Sequence, residues 1–364
     1  MCRFLSACIR TVIAMPGFDL RALNRRAALR LSLGVAAGSV MPCRAGGSQT
    51  PVPLNDQLGG NISPVHDPSI IMAGDTYYVF STDLGGGLGA SVPWRFSKDL
   101  RYWEKGGFAF AEVPAWAKEA VPGTRGIWAP DISYHDGKYL LYYACSTFGK
   151  NTSAIGLATN TTLDPAAPGY KWEDRGVVFQ STSTDDFNAI DPNLVVDRDG
   201  NHWLAFGSFW SGIKMVALDS ASGKPPPGDK KIYSLASRPP GSDPNAIEAP
   251  FIAERGGYYY LFCGFDFCCR GADSNYYTVV GRSANVTGPY SDRDGNAMTY
   301  GNATIVLPNN TSSRWRGPGG ASILKDAEQY YVVYHAYDAL RQGTPTLRIA
   351  PLEWSADGWP TAII

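Results

Sequence analysis

The sequence is poor in charge, and this limits the kind of partner it can bind. Only 18% of its 364 residues are charged, and the formal net charge is −1. Seven Arg and one Asp in residues 1–45 leave the rest of the chain with a net charge of −7 and without a basic stripe. A mildly acidic body does not attract phosphate backbones or anionic lipid headgroups. We therefore expect neither nucleic acid nor a membrane surface as a partner, and a neutral ligand fits better.

The N-terminal region also lacks an apolar run long enough to cross a bilayer as a helix. Residues 29–37 form only a modest apolar stretch, far short of the roughly 20 residues that a span needs. Arg25 and Arg26 precede it, and this arrangement resembles a twin-arginine export signal. We predict an export signal and linker in residues 1–47, one folded domain in residues 48–364, and a periplasmic or extracellular location. The alternative for the leader is a frayed amphipathic helix.

Patterns that bind zinc are missing as well. The seven Cys include no CxxC pair, and the chain has only four His, so a zinc site is not expected. Cys268 and Cys269 are adjacent, which leaves two interpretations open. They form a vicinal disulfide at a loop tip, or they are two unpaired thiols in a turn, and only geometry decides between these.

The chain does contain a repeat. Five segments place an acidic residue or small turn before a hydrophobic step, a polar turn and a β-branched or aromatic run. They are residues 66–83, 129–147, 190–208, 248–266 and 319–338. Each segment is typical of a β-hairpin, and strand-like pieces between the segments bring each unit to about four strands.

Five units of roughly 60 residues predict an all-β fold. The 40 Gly, 26 Pro and 20 Tyr fit short strands joined by tight turns, and an all-helical fold fits poorly. A four-stranded sheet cannot bury both of its faces alone, so we predict a five-bladed β-propeller. In this fold the first strand of each blade lines the central channel and begins at one mouth of it.

Acidic residues head most of these units. Aligning the repeats gathers Asp67, Asp131, Asp191, Glu248 and the pair Gly319–Gly320 around one mouth of the channel. Converging carboxylates repel one another and raise at least one pKa, and a fold usually tolerates this for function. The alternative is that these acids only start turns. Asp131 fits that alternative best, because it follows Pro130 and its carboxylate can accept hydrogen bonds from turn amides.

At this point the motifs resemble glycoside hydrolase family 43, and within it the endo-1,5-α-L-arabinanases. The resemblance covers roughly residues 60–364. It rests on HDPS (66–69), GIWAPD (126–131), STFG (146–149) with SAIG (153–156), NAIDP (188–192), GSFW (207–210), EAP (248–250), CCRG (268–271) and residues 354–360. It implies a five-bladed propeller that hydrolyses α-1,5-linked arabinofuranose chains with inversion, so the expected partners are arabinan, a side chain of pectin, and arabino-oligosaccharides. We expect a monomer, although the sequence leaves the oligomeric state open.

The resemblance also implies the roles of three acids. Inversion takes a carboxylate that activates water and a carboxylic acid that protonates the leaving oxygen, roughly 6.5–9.5 Å apart. Asp67 is then the general base and Glu248 the general acid. Asp191 disfavours ionisation of Glu248 by its charge and orients it.

Further residues are candidates for binding sugar. Flat side chains suited to stacking on furanose rings are Trp128, Phe148, Phe209 and Trp210. Asn188 and Ser208 suit sugar hydroxyls, and His66 adjoins the proposed base. The alternatives are packing between blades for the aromatic residues and turn capping for the polar ones.

No cofactor is expected for the chemistry, but a metal is considered at His335. We place this residue in the channel strand of the fifth unit, and in related enzymes the equivalent His lies beside a metal ion or a water cluster. We consider a calcium ion there, although a lone imidazole is a weak ligand for a hard cation and a buried core His is the alternative.

Two rival functions remain open. One is an exo-acting arabinanase, α-L-arabinofuranosidase or β-xylosidase of the same family, with the same acids and a cleft blocked at one end. The other is a sugar-binding propeller without catalysis, because a fold does not fix a function. The acid trio argues against the second, and we see no appended β-sandwich domain of the kind that many exo-acting relatives carry.

Overall fold

The computed structural model describes residues 52–85, 89 and 91–364. The predicted export signal and linker in residues 1–47 lie outside the described residues. Within the described part no helix has the length and apolarity needed to cross a membrane. Helical structure there consists of short elements: helix α1 at Ala115–Ala120 and 3-10 turns at Leu54–Gln57, Gly271–Asp273, Met298–Tyr300 and Ala339–Arg341.

The described chain is a five-bladed β-propeller, as predicted. Each blade is one sheet, with five strands in the first blade and four in each of the others. The strands of the blades, in chain order, are Gly59–Gly60 (β1), Ser69–Ala73 (β2), Thr76–Phe80 (β3), Ser91–Ser97 (β4) and Tyr102–Phe110 (β5); Trp128–His135 (β6), Lys138–Cys145 (β7), Ser153–Asn160 (β8) and Glu173–Ser181 (β9); Asn193–Val196 (β10), His202–Phe206 (β11), Ile213–Leu218 (β12) and Tyr233–Ala236 (β13); Ile247–Arg255 (β14), Tyr258–Phe265 (β15), Tyr277–Ser283 (β16) and Thr304–Leu307 (β17); and Trp315–Asp326 (β18), Gln329–Asp338 (β19), Thr344–Trp354 (β20) and Pro360–Ala362 (β21).

Every blade contains an antiparallel meander of four strands. In the first blade, β1 also pairs in parallel with the edge strand β5. The innermost strands are β2, β6, β10, β14 and β18, and each contacts the next one around the ring. Strand β18 also contacts β2, so the ring is closed. The residues at the start of the inner strands therefore meet at one mouth of a central channel.

The apolar core lies between the blades, in five clusters that each join two neighbours. Successive side chains of a strand point to opposite faces of its sheet. Tyr142 accordingly packs between blades 2 and 3, while Tyr143 packs between blades 1 and 2. Tyr259 and Tyr260 divide in the same way around blade 4. Because both faces of each sheet are buried against neighbouring blades, the second strand of each repeat has a continuous run of apolar residues in the sequence.

Polar side chains on the inner strands tie the blades together near the channel. At blade boundaries 1–2, 2–3 and 3–4, Ser69 Oγ accepts from Ile132 N at 3.0 Å, Asp131 Oδ2 from Leu194 N at 2.8 Å, and Asn193 Oδ1 from Ile252 N at 2.8 Å. At boundary 5–1, Ser322 Oγ donates to Pro68 O at 2.7 Å. These four linking side chains occupy equivalent positions in their blades. Each comes two residues after a residue whose backbone is left-handed.

Candidate active site

One residue in each blade enters the channel mouth with a left-handed backbone, and we refer to these five as the mouth residues. They are Asp67, Ala129, Asp191, Ala249 and Gly320, with φ of 48°, 38°, 56°, 52° and 57°. Proline follows the first four and Ala321 the fifth. The alignment of the repeats from sequence was wrong in two blades, because the residues equivalent to Asp67 and Asp191 are Ala129 and Ala249. Asp131 lies two residues after the mouth residue, and Glu248 one residue before it.

The mouth residue creates a bulge that turns its neighbours. In blade 4 Glu248 pairs with Gly264 and Phe251 pairs with Phe262, so Ala249 and Pro250 have one partner residue between them. Strands β6 and β18 have the same irregularity. A bulge re-aims side chains next to it. Glu248 can therefore reach the same mouth as the aspartates although it comes one residue earlier.

Asp67 is held as a carboxylate. Its Oδ2 accepts hydrogen bonds from His66 Nδ1 at 2.7 Å and from Thr82 Oγ1 at 2.6 Å. Its backbone N–H donates to His335 Nδ1 at 3.1 Å. Burial alone would raise the pKa of Asp67, but the charge and hydrogen bond of His66 hold this pKa well below its usual range. Asp67 therefore stays ionised over a wide pH range.

Glu248 and Asp191 behave in the opposite way. Burial, followed by the negative charge of Cys269, raises the pKa of Glu248 to about 7, although Ser208 Oγ donates to its Oε2 at 2.9 Å. Burial and the charge of Glu248 raise the pKa of Asp191 well above its ordinary value. Asp191 Oδ2 accepts from the N–H of Ala249, the residue after Glu248, at 3.1 Å. The charge of Glu248 thus disfavours ionisation of Asp191, and both groups hold their protons to a higher pH than an ordinary carboxyl does.

Asp131 has a structural contact for each oxygen. Its Oδ1 accepts from Asn193 Nδ2 at 3.1 Å, and its Oδ2 bonds the blade 3 backbone. Burial raises its pKa to about 6. Of the two interpretations that the sequence left for this acid, the bonding of backbone amides is the one that fits.

The candidate sugar-binding residues divide between rim and interior. Phe148 is 82% exposed and Trp210 is 37% exposed, while Trp128 and Phe209 are half-buried, with Phe209 against Phe267 at 5.9 Å between ring centres. Buried Ser208 is bound to Glu248. Buried Asn188 donates to Lys150 O at 3.4 Å, and its Oδ1 has no partner among the described residues.

Sequence reasoning missed several side chains that complete the site. Thr82 accepts from Ala129 N at 2.8 Å while it donates to Asp67. Tyr337 bonds His66 Nε2 at 2.7 Å through its hydroxyl, which also accepts from Cys269 N at 2.8 Å. A signal for Thr82 was available, because it follows β3 by two residues just as Ser208 follows β11. Both supply a hydroxyl to a carboxyl at the mouth.

His335 is fully buried beneath the site, on the second strand β19 and not on the channel strand β18. Its ring stacks on His66 with 3.8 Å between ring centres, and burial lowers its pKa well below the ordinary value, so it is neutral. Because Nδ1 accepts from Asp67 N, Nε2 carries the proton in this arrangement, and it has no partner among the described residues. A buried N–H of this kind suits a hydrogen-bond acceptor and not a cation. The donor atoms of His66 and Asp67 lie nearby but bond each other, so an oxygen-rich calcium cage is not provided by this set.

The sequence and the fold are similar to those of known enzymes. The profile described as "Glycosyl hydrolases family 43" matches residues 63–360. The chain is 43% identical over 304 residues to the extracellular endo-α-(1→5)-L-arabinanase 1 of Bacillus subtilis, covering 83% of this chain and 89% of that one. It is also 43% identical over 304 residues to an extracellular exo-α-(1→5)-L-arabinofuranosidase of Cellvibrio japonicus, covering 81% of this chain and 85% of the other.

Solved structures agree with this result. A family 43 endo-arabinanase from Bacillus licheniformis is 47% identical, with a TM-score of 0.75 and coverage of 84% of this chain and 99% of that one. An α-L-arabinanase from Cellvibrio cellulosa in complex with arabinohexaose is 41% identical, with a TM-score of 0.77 and coverage of 83% and 96%. Profile, sequence and fold lead to one conclusion: this chain belongs to family 43 of the glycosyl hydrolases.

Proposed function

We propose that this chain is an exported arabinanase that cuts α-1,5-linked L-arabinofuranose chains internally and with inversion. The observation that carries the proposal is the division of ionisation at one mouth of the channel. Asp67 is held as a carboxylate, whereas Glu248 keeps its proton up to about pH 7. A pair of acids with separated pKa values is what a hydrolase needs for a base and an acid in one step.

In this mechanism Asp67 takes a proton from a water molecule that attacks the anomeric carbon. Glu248 gives its proton to the departing glycosidic oxygen on the other side of the sugar. Ser208 fixes the Glu248 carboxyl, and Asp191 holds the backbone beside it. His66, Thr82 and the N–H contact with His335 fix Asp67 so that its free oxygen faces the water. No covalent sugar intermediate forms, so the anomeric configuration inverts.

Arabinan as substrate is supported by the relatives, whose names specify arabinanase or arabinofuranosidase activity. Internal cleavage is the finer part of the proposal, since relatives of both kinds are equally similar. Phe148 and Trp210 support it. They are exposed and follow the second strands of blades 2 and 3 at the mouth end. An apolar surface on two blades suits several sugar rings of one chain.

The remaining part of the proposal is export. It is supported by the paired arginines of the leader and by the extracellular relatives. The calcium ion considered at His335 is not part of the proposal, because one ring nitrogen of His335 accepts from Asp67 N, the other carries a proton, and His66 and Asp67 bond each other. The proposed hydrolysis uses only side chains and water.

The product-size profile from linear 1,5-α-arabinan at early times tests internal cleavage. We expect a spread of oligosaccharides and a rapid fall in viscosity. Release of only monomer or one fixed oligomer would show exo action. No release, with hydrolysis of xylosides or binding alone, would reject the arabinanase function. Proton NMR of the first products reports the anomer, and retention would reject the assignment of Asp67 as a base.

A further inference from the structure

Two adjacent thiols lie at the channel mouth, and the proposed hydrolysis uses neither. Cys268 and Cys269 follow strand β15 at its mouth end. The structure holds them as free thiols whose Sγ atoms are 2.6 Å apart. Cys268 is half-buried and Cys269 is exposed, so one thiol is open to solvent and the other is directly behind it.

The exposed thiol contacts a residue of the proposed catalytic machinery. Cys269 Sγ is 3.7 Å from His66 Nε2, and Cys269 N donates to Tyr337 Oη. Both thiols also act on the pKa of Glu248, which the charge of Cys269 raises and hydrogen bonding by Cys268 lowers. The pair therefore touches the residue that holds Asp67 and influences the ionisation of the proposed acid.

We propose that Cys268 and Cys269 form a redox-active dithiol that a small-molecule disulfide oxidises to a vicinal disulfide, and that this oxidation shifts the pH range of hydrolysis. The second part rests on the proposed role of Glu248 as general acid. The first part depends only on the two thiols.

The oxidation balances as two thiol–disulfide exchanges. The Cys269 thiolate attacks one sulfur of the external disulfide, which forms a mixed disulfide and releases one thiolate that takes up a proton. Cys268 then loses its proton and attacks Cys269 Sγ, which expels the second external thiol. The protein loses two protons and two electrons, and the external disulfide gains them and becomes two thiols. Hydrogen bonding from Cys268, with the charge of His66, lowers the pKa of Cys269 to about 5, which makes Cys269 the attacking sulfur.

The link to hydrolysis is electrostatic. Charged or titratable groups that act on Glu248 come from blades 1 and 3 and from its own blade. They are Asp67, Asp191, Cys268, Cys269 and Tyr276. Oxidation removes the Cys269 negative charge, which favours ionisation of Glu248, and removes the Cys268 hydrogen bond, which disfavours it. The charge is the larger of the two influences on the pKa of Glu248. The net result is that Glu248 loses its proton at a lower pH after oxidation.

Mass spectrometry of the full-length chain tests the chemistry. The chain is treated with oxidised glutathione, alkylated and digested with trypsin. In the peptide of residues 256–270, Cys268 and Cys269 should carry no alkyl group and should together be two hydrogens lighter than two thiols. Dithiothreitol should reverse this change. Cys263 lies in the same peptide but is buried in the core, so Cys263→Ala is the matched control and should keep the change. Cys268→Ser and Cys269→Ser should each abolish it. A persistent glutathione adduct on Cys269, or two alkylated thiols after treatment, would overturn the proposal.

The pH profile of arabinan hydrolysis tests the consequence. We expect the alkaline limb to move down by about one pH unit on oxidation, the size of effect that a neighbouring charge has, in the unmodified chain and in Cys263→Ala. An unmoved limb in a chain with a confirmed disulfide would overturn the link to Glu248. If the reduced chain does not hydrolyse arabinan at all, the proposed function fails, while the mass measurement still decides whether the dithiol oxidises.

Discussion

Single residues set the ionisation of this site through their direct neighbours. Asp67 and Glu248 are both half-buried carboxyls, yet their pKa values move in opposite directions. His66 supplies a positive charge and a hydrogen bond to Asp67. Glu248 receives a hydrogen bond from the Ser208 hydroxyl, and the charges of Cys269 and Asp67 oppose its ionisation. The neighbour, not the residue type, decides which carboxyl stays ionised and which keeps its proton.

The first prediction concerns Glu248 and pH. Since Glu248 must carry a proton to act, the rate of hydrolysis is full below its pKa and should fall as pH rises through about 7. In Glu248→Gln the side chain cannot donate an acidic proton, and we expect the rate on arabinan to fall by roughly 10²–10⁴. The measurement is kcat/KM against pH on arabinan and on an arabino-oligosaccharide with a dinitrophenyl leaving group.

The second substrate makes this prediction specific. A dinitrophenolate leaves without protonation, so Glu248→Gln should retain most of its rate there and should lack the alkaline limb. Asp67→Asn serves as the matched amide variant, and it should be inactive on both substrates because the water is no longer activated. Equal losses on both substrates in Glu248→Gln would contradict the assignment of the acid.

At this scale the sequence predicted the acids but not the groups that tune them. Asp67, Asp191 and Glu248 stood out because they head repeats and match a motif. Thr82 and Tyr337 did not, because Thr82 is marked only by the offset from the preceding strand that it shares with Ser208, and Tyr337 has no signature of its own. Their contacts join residues 15 and 271 positions apart in the chain, and only the closed ring of blades brings the more distant pair together.

The recurring element is the mouth residue with its left-handed backbone. Asp and Gly tolerate this conformation, whereas Ala adopts it at a cost of roughly 1–2 kcal/mol. Blades 2 and 4 nevertheless have Ala there, followed by Pro. The conformation is thus imposed by the bulge and by hydrogen bonds such as that from Ala129 N to Thr82. Strain of this kind persists where surrounding structure holds it, often at active sites.

The second prediction compares equivalent positions in two blades. Ala129→Gly relieves the backbone strain and keeps the N–H, so the free energy of unfolding should stay unchanged or rise by up to about 1 kcal/mol. Gly320→Ala should have the opposite effect, because a Cβ there would lie 2.5 Å from Asp67 Oδ1 and 2.9 Å from His335 Nδ1. We expect a loss of about 2 kcal/mol from this crowding.

Urea unfolding of both variants measures the two changes. Hydrolysis by Gly320→Ala should fall as well, since the crowded atom belongs to the proposed base, whereas Ala129→Gly should keep its rate. If Ala129→Gly lost more than about 1 kcal/mol, the left-handed position would not be strained in the way that its φ of 38° indicates.

Element by element, the sequence predicted the number and the order of the blades correctly. Turn residues and apolar runs recur with each hairpin, and those signals are local. The register at the channel mouth was misjudged in blades 2 and 4, because a bulge adds a residue without changing the apolar pattern around it. Asp131 was therefore aligned with Asp67, although its structural equivalents are Ser69 and Asn193.

On the scale of the whole molecule, stability depends on closing the ring between blade 5 and blade 1. An apolar cluster joins them, with Ile70 and Trp103 from one blade and Val333 and Ile349 from the other. Segment 55–65 adds hydrogen bonds across the seam, such as Val65 N to Pro345 O at 2.9 Å. The mouth residues Asp67 and Gly320 lie on either side of this seam. The proposed base is therefore formed only when the ring is closed.

The last prediction concerns Asn55, which forms hydrogen bonds across this seam and is not one of the sugar-binding candidates. It is buried, its Nδ2 donates to Tyr334 Oη at 3.0 Å, and its Oδ1 accepts from Ile349 N at 2.8 Å. Asn55→Ala leaves two buried groups without partners, so we expect a loss of about 2–4 kcal/mol in the free energy of unfolding. Exposed Asn296→Ala is the matched control and should change stability by less than about 0.5 kcal/mol.

A graded variant keeps this prediction testable if Asn55→Ala does not fold. Tyr334→Phe removes only the hydroxyl partner, so it should cost about 1–2 kcal/mol, less than Asn55→Ala. In both variants kcat per folded molecule should be unchanged, because neither side chain contacts the carboxyls, while thermal inactivation should be faster. A fall in kcat without a fall in stability would mean that the seam acts on Asp67 directly, and full stability in Asn55→Ala would mean that the apolar cluster closes the ring alone.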